Sequence, residues 1–307
     1  MKTCGWLWWL GLLMLALRLS AETLTIATYN VENYVAADRM VDGTYRQAYP
    51  KPEVEKKALR AVIRALDADV IALQEMGSRI YLEELQRDLA SDGLKYPYAE
   101  LLDGADADRH VAVLSRRPFA SVTKHTELTL SYFGKKEMVK RGLLEVRFAT
   151  EAGEITLFIV HLKSRFTDRP DDPNSELRRL GEATAVRDQE LKIFPEPANA
   201  RFLLVGDCND SVASKPLRAL AQKGKTEIAE ILPATDSHGA VWSHFYKKEQ
   251  IYSRVDHVLV SALLKSTVVG GSATICDAPE TAAASDHRPL VVKLELVPVS
   301  STAVGSK

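Results

Sequence analysis

Polar side chains in this sequence are concentrated where predicted strands end. Six clusters have this position: Asn30-Val31-Glu32, Gln74-Glu75, His161-Leu162-Lys163-Ser164-Arg165, Gly206-Asp207-Cys208-Asn209-Asp210, Arg254-Val255-Asp256-His257 and Ser285-Asp286-His287. Each cluster lies at the end of an apolar run or beside one, and parallel or adjacent strands bring such segments to one edge of a sheet. The sequence therefore predicts a single site assembled from all six.

Four of these residues are oxygen donors of the kind that hold a hard divalent cation: Asn30, Glu32, Glu75 and Asp286. Mg²⁺ prefers oxygen ligands, keeps several waters and seldom has an all-protein cage, so two carboxylates and an amide are sufficient. We therefore expect a Mg²⁺ site, with Mn²⁺ as a substitute. For Glu75 taken alone, the alternative is a solvated or helix-capping carboxylate.

Asp207 and Asn209 flank Cys208 and, in extended backbone, point to the same side. The carboxylate would deprotonate an attacking water, and the amide would donate to a phosphate oxygen where charge develops. The alternative is a turn, because Gly-Asp-x-Asn-Asp is also favourable turn chemistry. Cys208 is predicted to pack in the core rather than act as a nucleophile. We expect Asp207, like His287, to lie at an exposed rim.

The histidines supply a second set of candidates. His287 needs a partner that fixes its tautomer, and Asp256 is the candidate, which gives an oriented imidazole able to protonate or stabilise a phosphate oxygen. His161 is followed by Lys163 and Arg165 on the same side of an extended segment. Three such donor or cationic groups suit an anionic phosphate. A structural strand-end histidine is the alternative for His161.

Other residues near these motifs are assigned to packing. His257 is predicted to face away from Asp256 and pack. Trp242, Phe245 and Tyr246 could stack on bases, but core burial is the preferred interpretation.

Apolar runs rich in β-branched residues alternate with helical patterns, which predicts one mixed α/β domain over residues 22–297. Many strands with few helices between them imply two sheets packed face to face, with helices outside. The segment after the first strand is predicted to be a loop. Strands are expected at residues 23–29, 69–73, 96–102, 111–114, 143–148, 155–161, 202–205, 255–260 and 290–296. Helices are expected after Pro52 with Val54, Ala58, Leu59, Val62, Ile63 and Leu66 on one face, after Ser78 to Gly93, on Leu177, Leu180, Thr184, Leu191 and Phe194, and from Ser214 to near Gly224.

The apolar run at residues 6–17 is short for a membrane span and predicts a secretory signal cleaved after Ala21, with an uncleaved anchor as the alternative. Cleavage changes the formal net charge from −1 to −3. Nucleic-acid or phospholipid binding must then rest on a local basic patch. Of the three cysteines only Cys208 and Cys276 remain, so one bridge is possible. Residues 298–307 are predicted to be a flexible tail.

In chain order, the motifs resemble those of the endonuclease/exonuclease/phosphatase superfamily, which has the deoxyribonuclease I-like fold. The motifs are Thr28-Tyr29-Asn30-Val31-Glu32-Asn33, Leu73-Gln74-Glu75, Val113-Leu114-Ser115-Arg116, His161-Leu162-Lys163-Ser164-Arg165, Gly206-Asp207-x-Asn209, Arg254-Val255-Asp256-His257 and Ser285-Asp286-His287-x-Pro289. The resemblance implies a four-layered α/β sandwich, with two packed mixed β-sheets flanked by helices, and metal-dependent hydrolysis of phosphate esters.

Carried over by position, the resemblance also implies roles for these residues. Asn30, Glu32, Glu75 and Asp286 would form the metal cluster, Asp207 and Asn209 the water-activating pair, Asp256 and His287 the dyad, and His161 a phosphate contact. In-line attack on phosphorus needs a water orienter, a metal and cationic groups rather than a covalent nucleophile.

Differences from subgroups of the family narrow the substrate. Residues 254–257 lack the Trp-Cys-Asp-Arg signature of inositol polyphosphate phosphatases, and residues 242–252 match abasic-site endonucleases poorly. Residues 160–165 are closer to the Asn-His-Phe-Lys-Ser pattern of secreted bacterial-type nucleases.

We therefore expect a secreted or periplasmic Mg²⁺-dependent phosphodiesterase, an endonuclease that acts on nucleic acid as a monomer without a stable protein partner. If the signal is not cleaved, the chain would be membrane-anchored. One alternative is a phospholipid or sugar-phosphate esterase, that is, a phosphatase or sphingomyelinase-like enzyme acting on a phosphorylated small molecule or lipid. The other is a non-catalytic phosphate-binding domain, which the presence of Glu75, Asp207 and His287 disfavours.

Overall fold

The computed structural model describes residues 21–167 and 169–298. The predicted signal peptide and the predicted tail lie outside these residues, apart from Ala21 and Pro298. The strands are β1 Glu22–Tyr34, β2 Ala37–Val41, β3 Thr44–Tyr49, β4 Val70–Met76, β5 Tyr98–Leu102, β6 His110–Ser115, β7 Ser121–His125, β8 Thr129–Tyr132, β9 Lys135–Met138, β10 Leu143–Thr150, β11 Gly153–His161, β12 Phe202–Asp207, β13 Gln222–Lys223, β14 Thr226–Glu227, β15 Glu230–Ile231, β16 Ala234–Thr235, β17 His244–Tyr246, β18 Ile251–Ser253, β19 Asp256–Val260, β20 Ala273–Ile275 and β21 Leu290–Leu296. The helices are α1 Glu53–Leu66, α2 Arg79–Ser91, α3 Glu176–Ile193, α4 Lys215–Ala221, α5 Ala262–Lys265 and α6 Thr281–Ala284.

Two mixed sheets form the centre of the described part of the chain. One has the strand order β16-β20-β21-β1-β4-β6-β5, and the other has the order β15-β19-β12-β11-β10-β7. Each contains a central parallel pair, β1 with β4 and β11 with β12, with antiparallel strands on both sides. The parallel pairs deliver their carboxyl ends, where the sequence motifs lie, to one edge of the molecule.

Three apolar layers hold the sheets and helices together. The first lies between the sheets and includes Leu24, Val70 and Leu157. The second packs α1 and α2 on the outer face of the first sheet, and the third packs α3 and α4 on the outer face of the second sheet. This is the predicted α/β sandwich of two packed mixed sheets flanked by helices.

The helix α1 follows from its sequence. Ala58, Leu59, Val62, Ile63 and Leu66 are buried on one side, as their 3.6-residue spacing requires. The first turn carries two acidic residues, whose negative charges interact favourably with the positive end of the helix dipole. Val54, which we placed on the same face, is instead exposed because it lies in the first turn, outside the layer that packs on the sheet.

The helix α3 has the predicted position, and of the residues that mark it Leu191 and Phe194 pack against the third apolar layer. Leu177 is 50% exposed, whereas Arg178, Arg179, Glu182 and Glu190 are buried. Part of the inward face therefore packs through ion pairs and hydrogen bonds rather than through the leucines. An apolar-face rule cannot identify such a surface.

The segment between β1 and α1 is ordered as a hairpin, not as the expected loop. β2 and β3 pair in antiparallel fashion and turn at Asp42 and Gly43, which both have positive φ. Among the helices that the structure describes, none combines the length and apolar character needed to cross a membrane.

Candidate active site

Asp207 lies at the end of β12, where the two sheets meet. Gly206, just before it, has φ 146°, and a Cβ there would lie 2.0 Å from the Val160 carbonyl oxygen, so only glycine fits without a backbone shift. Across the sheets, Asn30 Nδ2 donates to Asp207 Oδ2 at 3.0 Å. This bond connects β1 of the first sheet to β12 of the second.

Asn209 orients Asp207 from its own strand end. Its backbone N–H donates to Asp207 Oδ1 at 2.8 Å, and its Nδ2 lies 3.1 Å from Asp207 Oδ2 and 3.0 Å from the Leu162 carbonyl oxygen. The sequence analysis assumed extended backbone at Asn209. Its φ of 53° instead places it in the left-handed region. Because its amide group is directed at protein acceptors, the geometry gives it a role in holding the Asp207 carboxylate.

The predicted pair of Asp256 and His287 is formed. His287 Nδ1 lies 2.8 Å from Asp256 Oδ2 and donates to it, because a carboxylate can only accept. Ser243, on the segment before β17, donates from its hydroxyl to the same oxygen at 2.7 Å. The other ring nitrogen of His287, Nε2, lies 3.9 Å from Asp207 Oδ2. The dyad therefore faces the carboxylate of Asp207.

The two site histidines carry opposite electrostatic character. Burial alone would lower the pKa of His287, but the carboxylates of Asp256 and Asp207 raise it well above its usual value. Burial lowers the pKa of His161 well below its usual value, and the cation of Arg141 lowers it further. The surroundings therefore favour the cationic form of His287 and the neutral form of His161, whose Nε2 lies 3.6 Å from Asp207 Oδ2.

Burial raises the pKa of Asp207 to about 7, with the negative charge of Asp256 adding to this effect and the cation of His287 opposing it. A carboxylate with a pKa near neutrality is a more effective general base at that pH than an ordinary aspartate. The burial itself contradicts our expectation of an exposed rim: Asp207 is 1% and His287 6% exposed. The reason is that the two sheets and the segment before β17 pack around them.

Hydrogen bonds from backbone N–H groups hold the side chains of three of the four predicted metal-binding residues, Asn30, Glu32 and Glu75, and the N–H of the fourth, Asp286, supplies one of them. Asn30 Oδ1 accepts from the N–H of Glu32, Glu32 Oε2 accepts from the N–H of Asp286, and Glu75 Oε2 accepts from the N–H of Asn33. We expected the first strand to end before Asn30. It instead continues to Tyr34, with an irregular register against β4. Glu32, Asn33 and Glu75 all have positive φ, which aims their side chains out of the regular pleat.

These residues fit a hard divalent cation. The second carboxylate oxygens of Glu32 and Glu75 accept no hydrogen bond from the residues that the structure describes, and both side chains are only partly buried. Burial and the negative charge of Asp286 raise the pKa of Glu32. Carboxylate oxygens together with an amide oxygen are the donor set that Mg²⁺ or Mn²⁺ prefers.

Lys163 and Arg165 occupy the rim rather than the immediate surroundings of His161. The Lys163 ammonium donates to the hydroxyl and carbonyl of Ser164, and burial lowers its pKa to about 8. Arg165 has a side chain that is 53% exposed and lies 3.8 Å from Asp210. Neither makes a hydrogen bond to His161, so their proposed phosphate contact requires a substrate that extends along this rim.

The structure adds two arginines that the sequence motifs did not indicate. Arg109 donates to Asn33 Oδ1 at 2.7 Å, and Arg141 forms an ion pair with Asp106 at 2.9 Å. Arg141 is 6% exposed, and its Nε and Nη1 atoms have no partner among the described residues. Both lie just before antiparallel strands, β6 and β10, which start at the edge where β4 and β11 end. That topology is the signal that would have identified them.

Three packing predictions have different outcomes. His257 faces away from the site and bonds the Asp210 carbonyl at 2.8 Å, as expected. Cys208 is buried in the third apolar layer, and both it and Cys276 are free thiols. Core burial is wrong for Tyr246, which is 41% exposed on the β17–β18 hairpin beside the site.

A sequence model of the Endonuclease/Exonuclease/phosphatase family matches residues 27–287. The chain belongs to this family, whose members are hydrolases that act on phosphate esters and generally use divalent metal ions. No curated protein sequence matches the chain significantly.

Solved structures with the same fold include three with different descriptions. An endonuclease/exonuclease/phosphatase from Bacteroides vulgatus aligns with a TM-score of 0.61 at 16% identity, covering 90% of this chain and 99% of that one. Beta toxin from Staphylococcus aureus aligns with a TM-score of 0.61 at 13% identity, covering 88% of this chain and 99% of the toxin. Sphingomyelinase C from Streptomyces griseocarneus aligns with a TM-score of 0.58 at 14% identity, covering 89% of this chain and 100% of that chain. At these identities the likeness establishes the fold alone.

Proposed function

We propose that this chain is a secreted Mg²⁺-dependent phosphodiesterase that acts as an endonuclease on nucleic acid. The observation that carries the hydrolytic part is the position of Asp207, a buried carboxylate fixed by Asn30 and Asn209 and facing two histidines of opposite character. Such an arrangement is suited to activating a water on one side of a phosphate and to donating a proton to the phosphate on the other side.

The residues of the site then divide the tasks of the hydrolysis, and Asn30 serves two of them. Asp207 accepts the proton of the attacking water, while Asn30 and Asn209 keep its oxygens aligned. His287, held by Asp256, donates a proton to a phosphate oxygen or to the leaving group. Glu32, Glu75, Asp286 and Asn30 would hold the divalent cation, which when bound neutralises charge on the phosphate.

Cationic side chains around the site favour a polyanionic substrate. Arg109 and Arg141 lie close enough to His161 to lower its pKa, and Lys163 does the same from the other strand end. The cation of Lys247, in the β17–β18 turn, acts to lower the pKa of the carboxyls of Glu32 and Asp286. Because the chain has no net positive charge, this local patch must supply the attraction.

The test of function is nicking of supercoiled plasmid by residues 22–307 in Mg²⁺, with EDTA as the metal-free arm. Asp207→Asn keeps the shape of the side chain and is expected to lower the rate by about 10²–10⁴-fold. Asp67→Asn is the matched control, because Asp67 is exposed at the end of α1, beside the amino end of β4. Nicking that survives in Asp207→Asn would contradict the assignment.

A phospholipid phosphodiesterase is the second candidate. The observations that favour it are the likeness to sphingomyelinase C and exposed apolar side chains on segments that adjoin the site, namely Met40 and Tyr45 on the β2–β3 hairpin and Phe166 after β11. Sphingomyelin vesicles should be assayed in parallel with plasmid. Hydrolysis of sphingomyelin without nicking, lost in Asp207→Asn, would keep the site and replace the substrate.

Export is a separate part of the proposal and rests on the apolar run at residues 6–17. Expression of the full chain with its own amino terminus should yield an exported protein that begins at Glu22. Intact-mass measurement on the exported fraction tests this. A full-length chain retained with the membrane would show that the segment is an anchor.

A further inference from the structure

Two imidazoles converge on Asp286 at the side of the site away from His161. His244, the first residue of β17, places Nε2 3.7 Å from Asp286 Oδ2, and His287 places Nε2 4.0 Å from Asp286 Oδ1. One donor atom from each of these three residues lies within 4.8 Å of the others. None of the sequence motifs includes His244.

The remaining nitrogen of each ring has its own partner. His287 Nδ1 is bonded to Asp256 Oδ2 at 2.8 Å, and His244 Nδ1 lies 3.4 Å from Ser253 Oγ. Histidines that bind metals commonly have this arrangement, in which a hydrogen bond at one nitrogen fixes the ring and the other nitrogen binds the ion. At the cationic His287 the ion would displace the proton of Nε2. Both Nε2 atoms are therefore oriented towards Asp286 before any ion binds.

The backbone holds the three residues in place. His244 and His287 form an antiparallel bridge, and the N–H of Phe245 donates to the Asp286 carbonyl at 2.9 Å. The N–H of Arg288 donates to the Ser243 carbonyl at 2.6 Å. The two imidazole rings lie 4.5 Å apart at an angle of 41°. The cluster is thus built on paired backbone rather than on mobile side chains alone.

We propose that His244, Asp286 and His287 form a second divalent-cation site that binds an imidazole-preferring ion such as Zn²⁺. Two nitrogens and one carboxylate oxygen are a common zinc donor set, with water completing the tetrahedron. Bonds of about 2.0–2.1 Å place tetrahedral ligands about 3.4 Å apart. The three donor atoms, which lie within 4.8 Å of one another, must therefore move closer together when the ion binds. Asp286 is shared with the proposed Mg²⁺ site, and the oxygen donors Asn30, Glu32 and Glu75 remain for a harder ion when Zn²⁺ holds Asp286.

Occupation of this site has a consequence that rests on the proposed function. The Nε2 atom of His287 that would bind Zn²⁺ is also the atom that would carry the proton for the phosphate. Zn²⁺ bound there should therefore inhibit hydrolysis that Mg²⁺ supports, at concentrations far below those of Mg²⁺.

The direct test is calorimetric titration of Zn²⁺ into residues 22–307 in saturating Mg²⁺, which occupies the oxygen donors. Co²⁺ absorption in the visible region provides a second readout of nitrogen ligation. The wild-type protein should bind one Zn²⁺, and His244→Gln should bind it at least about tenfold more weakly. His238→Gln, which removes an exposed imidazole elsewhere, should bind as the wild type does. If glutamine disturbs the hairpin in circular dichroism, His244→Tyr retains a ring beside Tyr246.

The outcomes separate this proposal from the function. Absence of Zn²⁺ binding to the wild-type protein, or equal binding to both histidine variants, would overturn the second site whatever the substrate is. Loss of binding in His244→Gln alone would support the site even if plasmid is never cut. Where activity is found, Zn²⁺ inhibition normalised to each variant's own Mg²⁺ rate should be relieved in His244→Gln and unchanged in His238→Gln.

Discussion

At the scale of single residues, the Asp256 carboxylate depends on a hydroxyl that lies outside the sequence motifs. Ser243 is fully buried, donates to Asp256 Oδ2 and accepts the N–H groups of Val255 and Asp256. It therefore fixes the carboxylate that in turn fixes His287. Ser243 does not contact the place where a phosphate would bind, so its role is positioning.

Ser243→Ala is expected to lower kcat by about 10–100-fold with little change in KM, because the dyad loses its alignment but substrate contacts remain. Steady-state kinetics measure this difference. Ser243→Thr, which keeps the hydroxyl, should restore much of the rate. Ser78→Ala is the control, since Ser78 is exposed and far from Asp256 in the chain. A change confined to KM would contradict a positioning role.

At the scale of elements, the amino ends of two helices look alike in sequence but differ in structure. The Ser214 hydroxyl accepts from the N–H of Leu217 at 3.4 Å, whereas Ser78 makes no side-chain capping hydrogen bond to α2. Ser214→Ala should lower the free energy of unfolding by about 1 kcal/mol, the usual value of a capping serine. Ser78→Ala should change it by less than half as much in urea denaturation. Equal losses would show that hydroxyl capping is not what distinguishes the two ends.

The buried face of α3 provides a second prediction at this scale. Glu182 is fully buried and accepts from the N–H of Lys163 at 2.8 Å and from Arg178 Nε at 3.3 Å. Glu182→Ala would leave these donors without an acceptor and should cost about 3–5 kcal/mol of unfolding free energy. Leu177→Ala, on the exposed face, should cost no more than about 0.5 kcal/mol. Chemical denaturation of both variants distinguishes this charged interface from the apolar one that the spacing predicts.

At the scale of the whole molecule, Arg288 connects segments that are remote in sequence. Its guanidinium pairs with Asp236 at 2.8 Å, donates to the Cys276 carbonyl and lies 4.2 Å above the Trp242 ring. Arg288 directly follows His287. These contacts therefore connect the segment after β16 to the segment just before β21, which contains the dyad histidine.

The pair between Asp236 and Arg288 should make stability depend on pH in the acid range. The hydrogen bond from Arg288 lowers the pKa of Asp236 to about 2, below the ~4 of an unfolded aspartate. A lowered pKa gives stability that is present above about pH 4 and is lost as the pH falls towards 2. The melting temperature of Asp236→Asn should therefore lie below that of the wild type at pH 7 and approach it near pH 2.

Much of the fold could be predicted from the sequence because local patterns determine it. The alternating or continuous apolar runs identified β21 to the residue and β1, β4, β11 and β12 within a few residues. The motifs at the ends of these strands could then be predicted to lie together, because neighbouring strands end at one edge of a sheet. The β2–β3 hairpin and the charged face of α3 could not be predicted in this way, because hydrophobic periodicity records neither exposed strands nor buried ion pairs.

The sequence by itself determined which kinds of groups would meet: carboxylates, amides and histidines at the ends of apolar strands, in an order typical of one family. Their types and spacing suffice for that, because chemistry is a property of the residues. Only the tertiary structure decided that Asp207 is buried between two histidines, that Ser243 and His244 join the site, and that Arg109 and Arg141 lie beside it. These depend on contacts across the two sheets between residues distant in the chain, and no local pattern of the sequence carries that information.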